Sequence, residues 1–133
     1  MTHPIPSRMQ LDTCGGIAKI VYDFAQYGGA VGNRPIELEL PSGVIIHNGF
    51  VDVITPVTSG GAATIALNFI GSATQAILAP TAIASVTGTL PITARTTPVK
   101  VVSTTGLALL HVTIAAAALT AGRFNLYLEY FGV

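Results

Sequence analysis

The C-terminal part of the chain alternates apolar and polar side chains with a period of two. Over residues 124–130 every second side chain is large and apolar, and residues 36–40 repeat the pattern with Ile36, Leu38 and Leu40. This period places one set of side chains on one face of a β-strand and the other set on the opposite face. Sustained helical periodicity is absent, so the sequence predicts an all-β protein.

Charged residues are rare in this chain. They make up 9% of its 133 residues, against roughly 25% in an ordinary domain, while 50% of the residues are hydrophobic. The six basic and six acidic residues cancel. Because phosphate binding depends on clustered Lys and Arg, we expect no nucleic-acid partner. Such a surface suits contact with other protein better than open water.

The sequence predicts no membrane partner and no secretion signal. No uninterrupted apolar run approaches the roughly 18 residues that a spanning helix needs, and no cationic amphipathic segment suggests a membrane surface. The N-terminus lacks a basic region followed by an apolar run. The single cysteine, Cys14, excludes an internal disulfide. We therefore expect synthesis in a cytoplasm.

Short predicted strands follow one another along most of the chain. They cover residues 17–24, 36–40, 44–55, 63–70, 99–103, 107–114 and 123–130. We expect a turn at residues 41–43, a bulge at Asn48 and Gly49, and the end of the third strand at Pro56. Residues 99–103 and 107–114 are expected to pair with each other, and residues 71–98 to form short strands or irregular extended segments.

This spacing of strands and turns favours an antiparallel β-sandwich, jelly-roll-like in form. Pro4 and Pro6 oppose regular structure near the N-terminus, and Gly15 and Gly16 form a hinge. The predicted organisation is therefore an extended N-terminal arm over residues 1–16 and a β-sandwich domain over residues 17–133. A frayed terminus is the alternative to an arm.

We expect no enzymatic activity, no cofactor and no metal. Ser42, His47 and Asp52 are available, but no Gly-x-Ser-x-Gly nucleophile motif occurs. Nothing near Cys14 has metal-ligand spacing. His111 shares a predicted strand face with apolar neighbours, and we interpret it as a hydrogen-bonded sheet histidine.

Other residue groups have structural interpretations. Glu37 and Glu39 on one strand face suggest a solvated surface, or pairing with an arginine of a neighbouring subunit. The glycine-rich residues 28–32 and 59–61 lack the Lys-Ser/Thr ending of a phosphate loop, so we interpret them as turns. Most of the large aromatic residues are expected in the core, namely Tyr22, Phe24, Phe69, Phe124 and Tyr130.

The layout of strands and turns resembles the head decoration, or cement, proteins of tailed phages. The stretches that carry the resemblance are residues 19–24, 28–32, 40–46, 51–53, 118–124 and 127–130. They are strand-and-turn patterns spread over most of residues 17–130, without a catalytic signature. The resemblance implies a capsid decoration subunit that binds and stabilises an icosahedral phage head.

The resemblance also implies partners and a location. It implies a β-sandwich or jelly-roll protomer that forms a homotrimer and binds the major capsid protein on the outer surface of the virion capsid. The N-terminal arm would then be the element that contacts neighbouring subunits. The arm residues that we assign to this interface are Pro4, Ile5, Pro6, Arg8, Met9 and Leu11.

Two other functions fit the same strand pattern. One is a phage fibre, spike or carbohydrate-binding jelly-roll module, favoured by Tyr27 and Asn33 in loops but weakened by the absence of tryptophan. The other is a small metal enzyme on a β-fold, which the sparse histidines and carboxylates oppose.

Overall fold

Antiparallel β-strands account for most of the described chain. The computed structural model describes residues 16–104 and 106–132, without the side chain of Glu37. The strands are β1 Gly16–Asp23, β2 Gly32–Pro41, β3 Ile45–Ser59, β4 Thr64–Ile70, β5 Thr74–Ala82, β6 Thr89–Pro91, β7 Val99–Lys100, β8 Leu107–Ala115 and β9 Leu119–Phe131. A single-turn helix, α1, spans Phe24–Tyr27, and two 3₁₀ turns span Ile83–Ser85 and Thr93–Arg95.

The strands form two sheets. The first, sheet A, has the order β1-β9-β3-β6, with β7 also pairing with β3, and the second, sheet B, has the order β2-β8-β4-β5. Every pairing is antiparallel. The chain crosses between the sheets after β1, β2 and β3, returns after β5, and crosses again before β8 and β9. Apart from the two-residue β7, which lies off this path, the strands form two four-stranded sheets arranged as in a jelly roll, which confirms the predicted all-β sandwich.

The core fills the space between the sheets, and the period of two determines which side chains enter it. On β9 the inward residues Phe124, Leu126 and Leu128 are fully buried, and they lie opposite Tyr22, Ile20 and Ala18 of β1. Burying one such large apolar side chain contributes about 1.5–3 kcal/mol. The predicted core positions of Tyr22, Phe69, Phe124 and Tyr130 are confirmed, whereas Phe24 is only partly buried.

Tyr22 is a core residue with a polar end. Its ring stacks on Phe124 at a centroid distance of 5.1 Å, and its hydroxyl donates a 2.6 Å hydrogen bond to the carbonyl oxygen of Gly28. Burial raises the pKa of Tyr22 to about 12, although the positive charge of Arg34 partly opposes this rise. The bond connects β1 to the loop after α1.

That loop begins differently from the prediction, which had β1 running to residue 24. Asp23 ends β1, and its side chain accepts a 3.0 Å hydrogen bond from the Ala25 backbone N–H, which caps α1. Asp is among the strongest N-cap residues. The cap therefore favours a helical turn from Phe24 onward, although the alternating strand pattern continues to Phe24. Gly28, at φ +75°, then ends the turn.

The predicted pairing of residues 99–103 with 107–114 is wrong. β7 pairs with β3 in sheet A, whereas β8 lies between β2 and β4 in sheet B. The Val101 backbone N–H donates to the Val44 carbonyl oxygen at 2.8 Å, and its carbonyl oxygen accepts from Gly43 at 2.7 Å. The short turn therefore carries the chain from one sheet to the other instead of closing a hairpin.

The structure of β3 confirms the predicted bulge but shows that the strand ends later than predicted. The register of β3 against β9 shifts between Ile46 and Asn48, next to the predicted position. However, β3 continues through Pro56 to Ser59. Register shifts surround Pro56 in this part of the pairing, and an irregular ladder tolerates a residue without a backbone N–H.

Residues 71–98 contain more regular structure than the prediction specified. β5 is a nine-residue strand that pairs with β4 along the edge of sheet B. The short β6 and the two 3₁₀ turns account for most of the remaining regular structure in this stretch. Within the described residues, no helix has the length and apolar character needed to span a bilayer.

Removing the Tyr22 hydroxyl tests the role of its hydrogen bond. Tyr22→Phe leaves the Gly28 carbonyl oxygen without this partner and is expected to lower the free energy of unfolding by about 1–3 kcal/mol. Since the pKa of Tyr22 is raised to about 12 from an unfolded value near 10, the folded state keeps a proton that the unfolded state loses. The stabilisation that comes from the raised pKa of Tyr22 is therefore complete below about pH 10 and falls as the pH rises toward 12.

Two measurements check this prediction. Spectrophotometric titration of the folded protein should show a tyrosine ionisation step near pH 12, and that step should be missing in Tyr22→Phe. Urea denaturation of both proteins gives the stability difference. Indistinguishable titration curves would contradict the assignment.

Candidate interaction surface

The outer face of sheet A exposes large apolar side chains. Ile17, Ile45, Phe50 and Phe131 lie on this face and are 37–70% exposed, and Ile54, at a bulge of β3, is 53% exposed. They are five of the eight large apolar side chains exposed among the described residues. Clustered apolar exposure of this kind marks interaction surfaces in water-soluble domains.

Cross-strand neighbours form a row across the same face, which we call the aromatic row: Lys19 on β1, Tyr127 on β9, Phe50 on β3 and Pro91 on β6. Each is the register partner of the next. The Tyr127 and Phe50 rings stack with centroids 4.9 Å apart, and the Lys19 Nζ lies 5.9 Å from the Tyr127 centroid. Opposed side chains on a sheet support one another in this way.

A second pair of contacts lies beside the row, at the β3 bulge. The Nε2 atom of His47 is 3.3 Å from Oε1 of Glu129, and the His47 ring stacks on Phe131 at 4.6 Å. This is the only ion pair among residues 16–104 and 106–132, and it carries full charge only when His47 is protonated. The few charges of the chain therefore do not gather into a network in the described structure.

A pocket opens at the β6 end of the aromatic row. Its volume is about 460 Å³, and its lining residues come from β3, β6 and the second 3₁₀ turn: Asn48, Gly49, Phe50, Thr89, Pro91 and Arg95. The β3 bulge contributes directly, because it turns both His47 and Asn48 away from the core, with Gly49 buried beside them. The Oδ1 atom of Asn48 accepts a 2.9 Å hydrogen bond from the Gly49 N–H.

The outer face of sheet B is polar in comparison. A hydrogen-bonded chain crosses three strands: the Asn68 side-chain amide donates to Thr113 Oγ1 at 2.8 Å, and Thr113 donates to Asn33 Oδ1 at 2.7 Å. His111 also lies on this face, and its Nδ1 is 2.9 Å from the Leu109 carbonyl oxygen, as expected for a hydrogen-bonded sheet histidine. These side chains form hydrogen bonds with one another or with the backbone. The outer face of sheet B therefore carries hydrogen-bonded polar groups, whereas that of sheet A exposes apolar ones.

Ser42, a candidate for catalysis in the sequence, makes structural hydrogen bonds. The Ser42 hydroxyl accepts a 3.1 Å hydrogen bond from the Ser103 N–H and lies 3.5 Å from the Val101 carbonyl oxygen. The described ranges contain no group of three or more His, Cys, Asp and Glu that could hold a metal ion. Among the described side chains no carboxylate lies within ion-pair distance of an arginine, so Glu39 has no arginine partner among them.

The predicted interface residues lie outside the described residues. These are the arm positions Pro4, Ile5, Pro6, Arg8, Met9 and Leu11, and Cys14 lies outside as well.

The sequence did not predict the pocket. The alternation of β9 and β3 could have placed Tyr127 and Phe50 outward. No local signal, however, brings Arg95 next to Asn48, because 46 residues separate them in the chain.

Comparisons with known proteins give one structural likeness. No protein-family model matches the sequence, and no curated protein matches it. The fold is similar to a chain in the solved structure "Capsid of Ralstonia phage GP4", with a TM-score of 0.57 and 19% sequence identity. The likeness covers 100% of this chain and 92% of that chain. At this identity the likeness shows a shared fold.

Gly49 allows β3 to lie close to β9 beneath the candidate surface, and its replacement tests that role. Its φ is +155°, and a Cβ there would collide with the Tyr127 carbonyl oxygen and lie 3.3 Å from the Leu128 Cα. Gly49→Ala should lower the free energy of unfolding by about 2 kcal/mol or more, because strained backbone and a clash between strands add up. Gly60, with nothing within 4 Å of a Cβ, is the matched control.

Urea denaturation measures both variants. Gly60→Ala should stay within about 0.5 kcal/mol of the unmodified protein. Equal effects of the two substitutions would contradict the proposed fit between β3 and β9.

Proposed function

We propose that this chain is a structural virion protein, a capsid decoration or cement subunit of a phage head. The observation that carries the proposal is the likeness of the whole jelly roll to a chain of a solved phage capsid, which extends over 92% of that chain. Jelly rolls are a common architecture of viral capsid domains. A fold alone does not define a function, so the surface supplies the second argument.

The surface favours extensive contact with protein. Only 9% of the chain is charged, and sheet A presents exposed Ile17, Phe50 and Phe131 on one face. Permanent interfaces are large, often 2,000 Å² or more, and more apolar than transient ones. An apolar sheet face with few charges to desolvate fits such an interface.

Within this proposal the subunit forms a homotrimer and binds the major capsid protein on the outer surface of the head. A trimer presents three copies of each contact to the shell. Linked contacts raise the effective concentration of the later ones, so weak individual contacts give a high overall avidity. The arm over residues 1–16 is proposed to contact neighbouring subunits, with Pro4, Ile5, Pro6, Arg8, Met9 and Leu11 as its interface residues.

Binding to empty heads tests the proposal directly. The purified protein should co-sediment with expanded heads assembled from the major capsid protein encoded by the same phage, and should saturate at a fixed ratio. Light scattering should give a mass three times the 13.7 kDa of one chain. A stable monomer that does not co-sediment with the heads would exclude the decoration role.

Truncation tests the arm separately. Deleting residues 1–15 keeps all of β1, which begins at Gly16, so the sandwich should remain folded by circular dichroism. If the arm links subunits, head binding should weaken by at least about tenfold, because a lost contact also removes its share of the avidity. Unchanged binding and unchanged mass would remove the arm from the interface while leaving the decoration role open to the sedimentation test.

A further inference from the structure

Arg95 carries a positive charge and has no acidic partner among the described residues. It ends the 3₁₀ turn Thr93–Arg95, is exposed, and lines the pocket beside Phe50. In the described part of the chain the only ion pair lies elsewhere. Ile92 and Ala94, both at most 2% exposed, anchor the turn in the core. The guanidinium is therefore available to an anion, on a backbone that the core holds in place.

Two residues with neutral hydrogen-bonding side chains, Asn48 and Thr89, line the same pocket as Arg95. The Asn48 Oδ1 is used by the Gly49 N–H, which leaves both N–H donors of the amide without a described partner. Thr89 adds a hydroxyl that can donate and accept. The polar side chains among the lining residues are thus those of Arg95, Asn48 and Thr89.

An apolar wall stands next to these groups. Phe50 is 41% exposed and has Tyr127 stacked on its β9 side and Pro91 opposite it on the β6 side. Stacking restricts the Phe50 ring, and the electron-rich face of an aromatic ring attracts partially positive C–H groups. A ligand for this pocket must combine a C–H face with hydroxyl groups and a negative charge.

We propose that this pocket binds a sugar that carries a carboxylate, within an acidic oligosaccharide. The sugar ring would contact Phe50 and Pro91, its hydroxyl groups would bond to Asn48 and Thr89, and its carboxylate would pair with Arg95. Arginine binds carboxylates through two parallel hydrogen bonds. The pocket volume of about 460 Å³ lies within the range of small-ligand sites, roughly 300–1,000 Å³.

The same geometry opposes an extended peptide as the occupant. A peptide that adds to a sheet uses unpaired backbone groups of an edge strand. Around the pocket the backbone of β3 is already paired on both sides, with β9 and with β6. The edge strand itself, β6, is only three residues long and ends at Pro91, which has no backbone N–H to donate to an added strand. Recognition here depends on side chains. This function is independent of capsid binding, and either can fail without the other.

Titration with defined oligosaccharides tests the proposal. The full-length protein is titrated by calorimetry and amide NMR with trimers of galacturonic, glucuronic and sialic acid. At least one should bind saturably and shift the resonances of Asn48, Gly49 and Thr89. Its methyl ester, which keeps the ring but loses the charge, should bind at least about tenfold more weakly. Absence of saturable binding up to millimolar concentration for all three trimers overturns the proposal.

Two controls separate a sugar site from a general anion site. A short polyglutamate peptide offers carboxylates without a sugar ring, and equal binding of this peptide would overturn the proposal in favour of an acidic protein partner. Arg95→Gln should lower the affinity for the acidic trimer at least about tenfold. Arg123→Gln is the matched variant, because Arg123 is also exposed on sheet A but lies outside the pocket.

The variants also need a folding control. Arg95→Gln and Arg123→Gln are at exposed positions and should leave the thermal unfolding transition unchanged. Phe50→Leu keeps an apolar side chain but removes the ring, and it should weaken the acidic trimer and its methyl ester by a similar factor. An equal loss in Arg123→Gln and Arg95→Gln would show that long-range charge, and not the pocket, attracts the ligand.

Discussion

The pairing of β9 with β1 on one side and β3 on the other supports the rest of the structure. β9 is thirteen residues long, and its inward side chains Phe124, Leu126 and Leu128 are fully buried. A slip of one residue would turn this whole set toward solvent, so the buried face specifies the register strongly. The same register aligns Lys19, Tyr127 and Phe50 on the opposite face. The core and the candidate interaction surface are therefore two consequences of one alignment.

The two outer faces of the sandwich suit different tasks. Sheet B bears a hydrogen-bonded chain of Asn68, Thr113 and Asn33, whereas sheet A exposes apolar and aromatic side chains with Arg95 at one end. Burying a charge that has no partner is costly, and a chain with so few charges avoids most of this cost when it enters an interface. The low charge content links the composition to the proposed role in a capsid shell. Arg95 is an exception, because its charge is available to an anionic ligand.

Sequence patterns located the strands better than their partners. The inward faces of β1, β4 and β9 and the bulge near Asn48 follow from alternation and glycine placement. The predicted hairpin of residues 99–103 with 107–114 failed, because strands with equally apolar faces can enter either sheet. α1 was missed since the Asp23 cap competes with a continuing strand pattern. Of the site, only the outward direction of Phe50 and Tyr127 could be read from their neighbours, while the arm residues remain predictions.

The amino-acid sequence by itself determined the fold class, the buried face of the main strands and the scarcity of charge. These are local properties, since a period of two acts within a few residues and composition requires no geometry. Only the tertiary structure decided which strands became neighbours, and with that the aromatic row and the pocket. Asn48, Thr89 and Arg95 meet there because β3 pairs with β6 and the 3₁₀ turn follows β6. Such pairing depends on how the whole core closes, which no short stretch of sequence encodes.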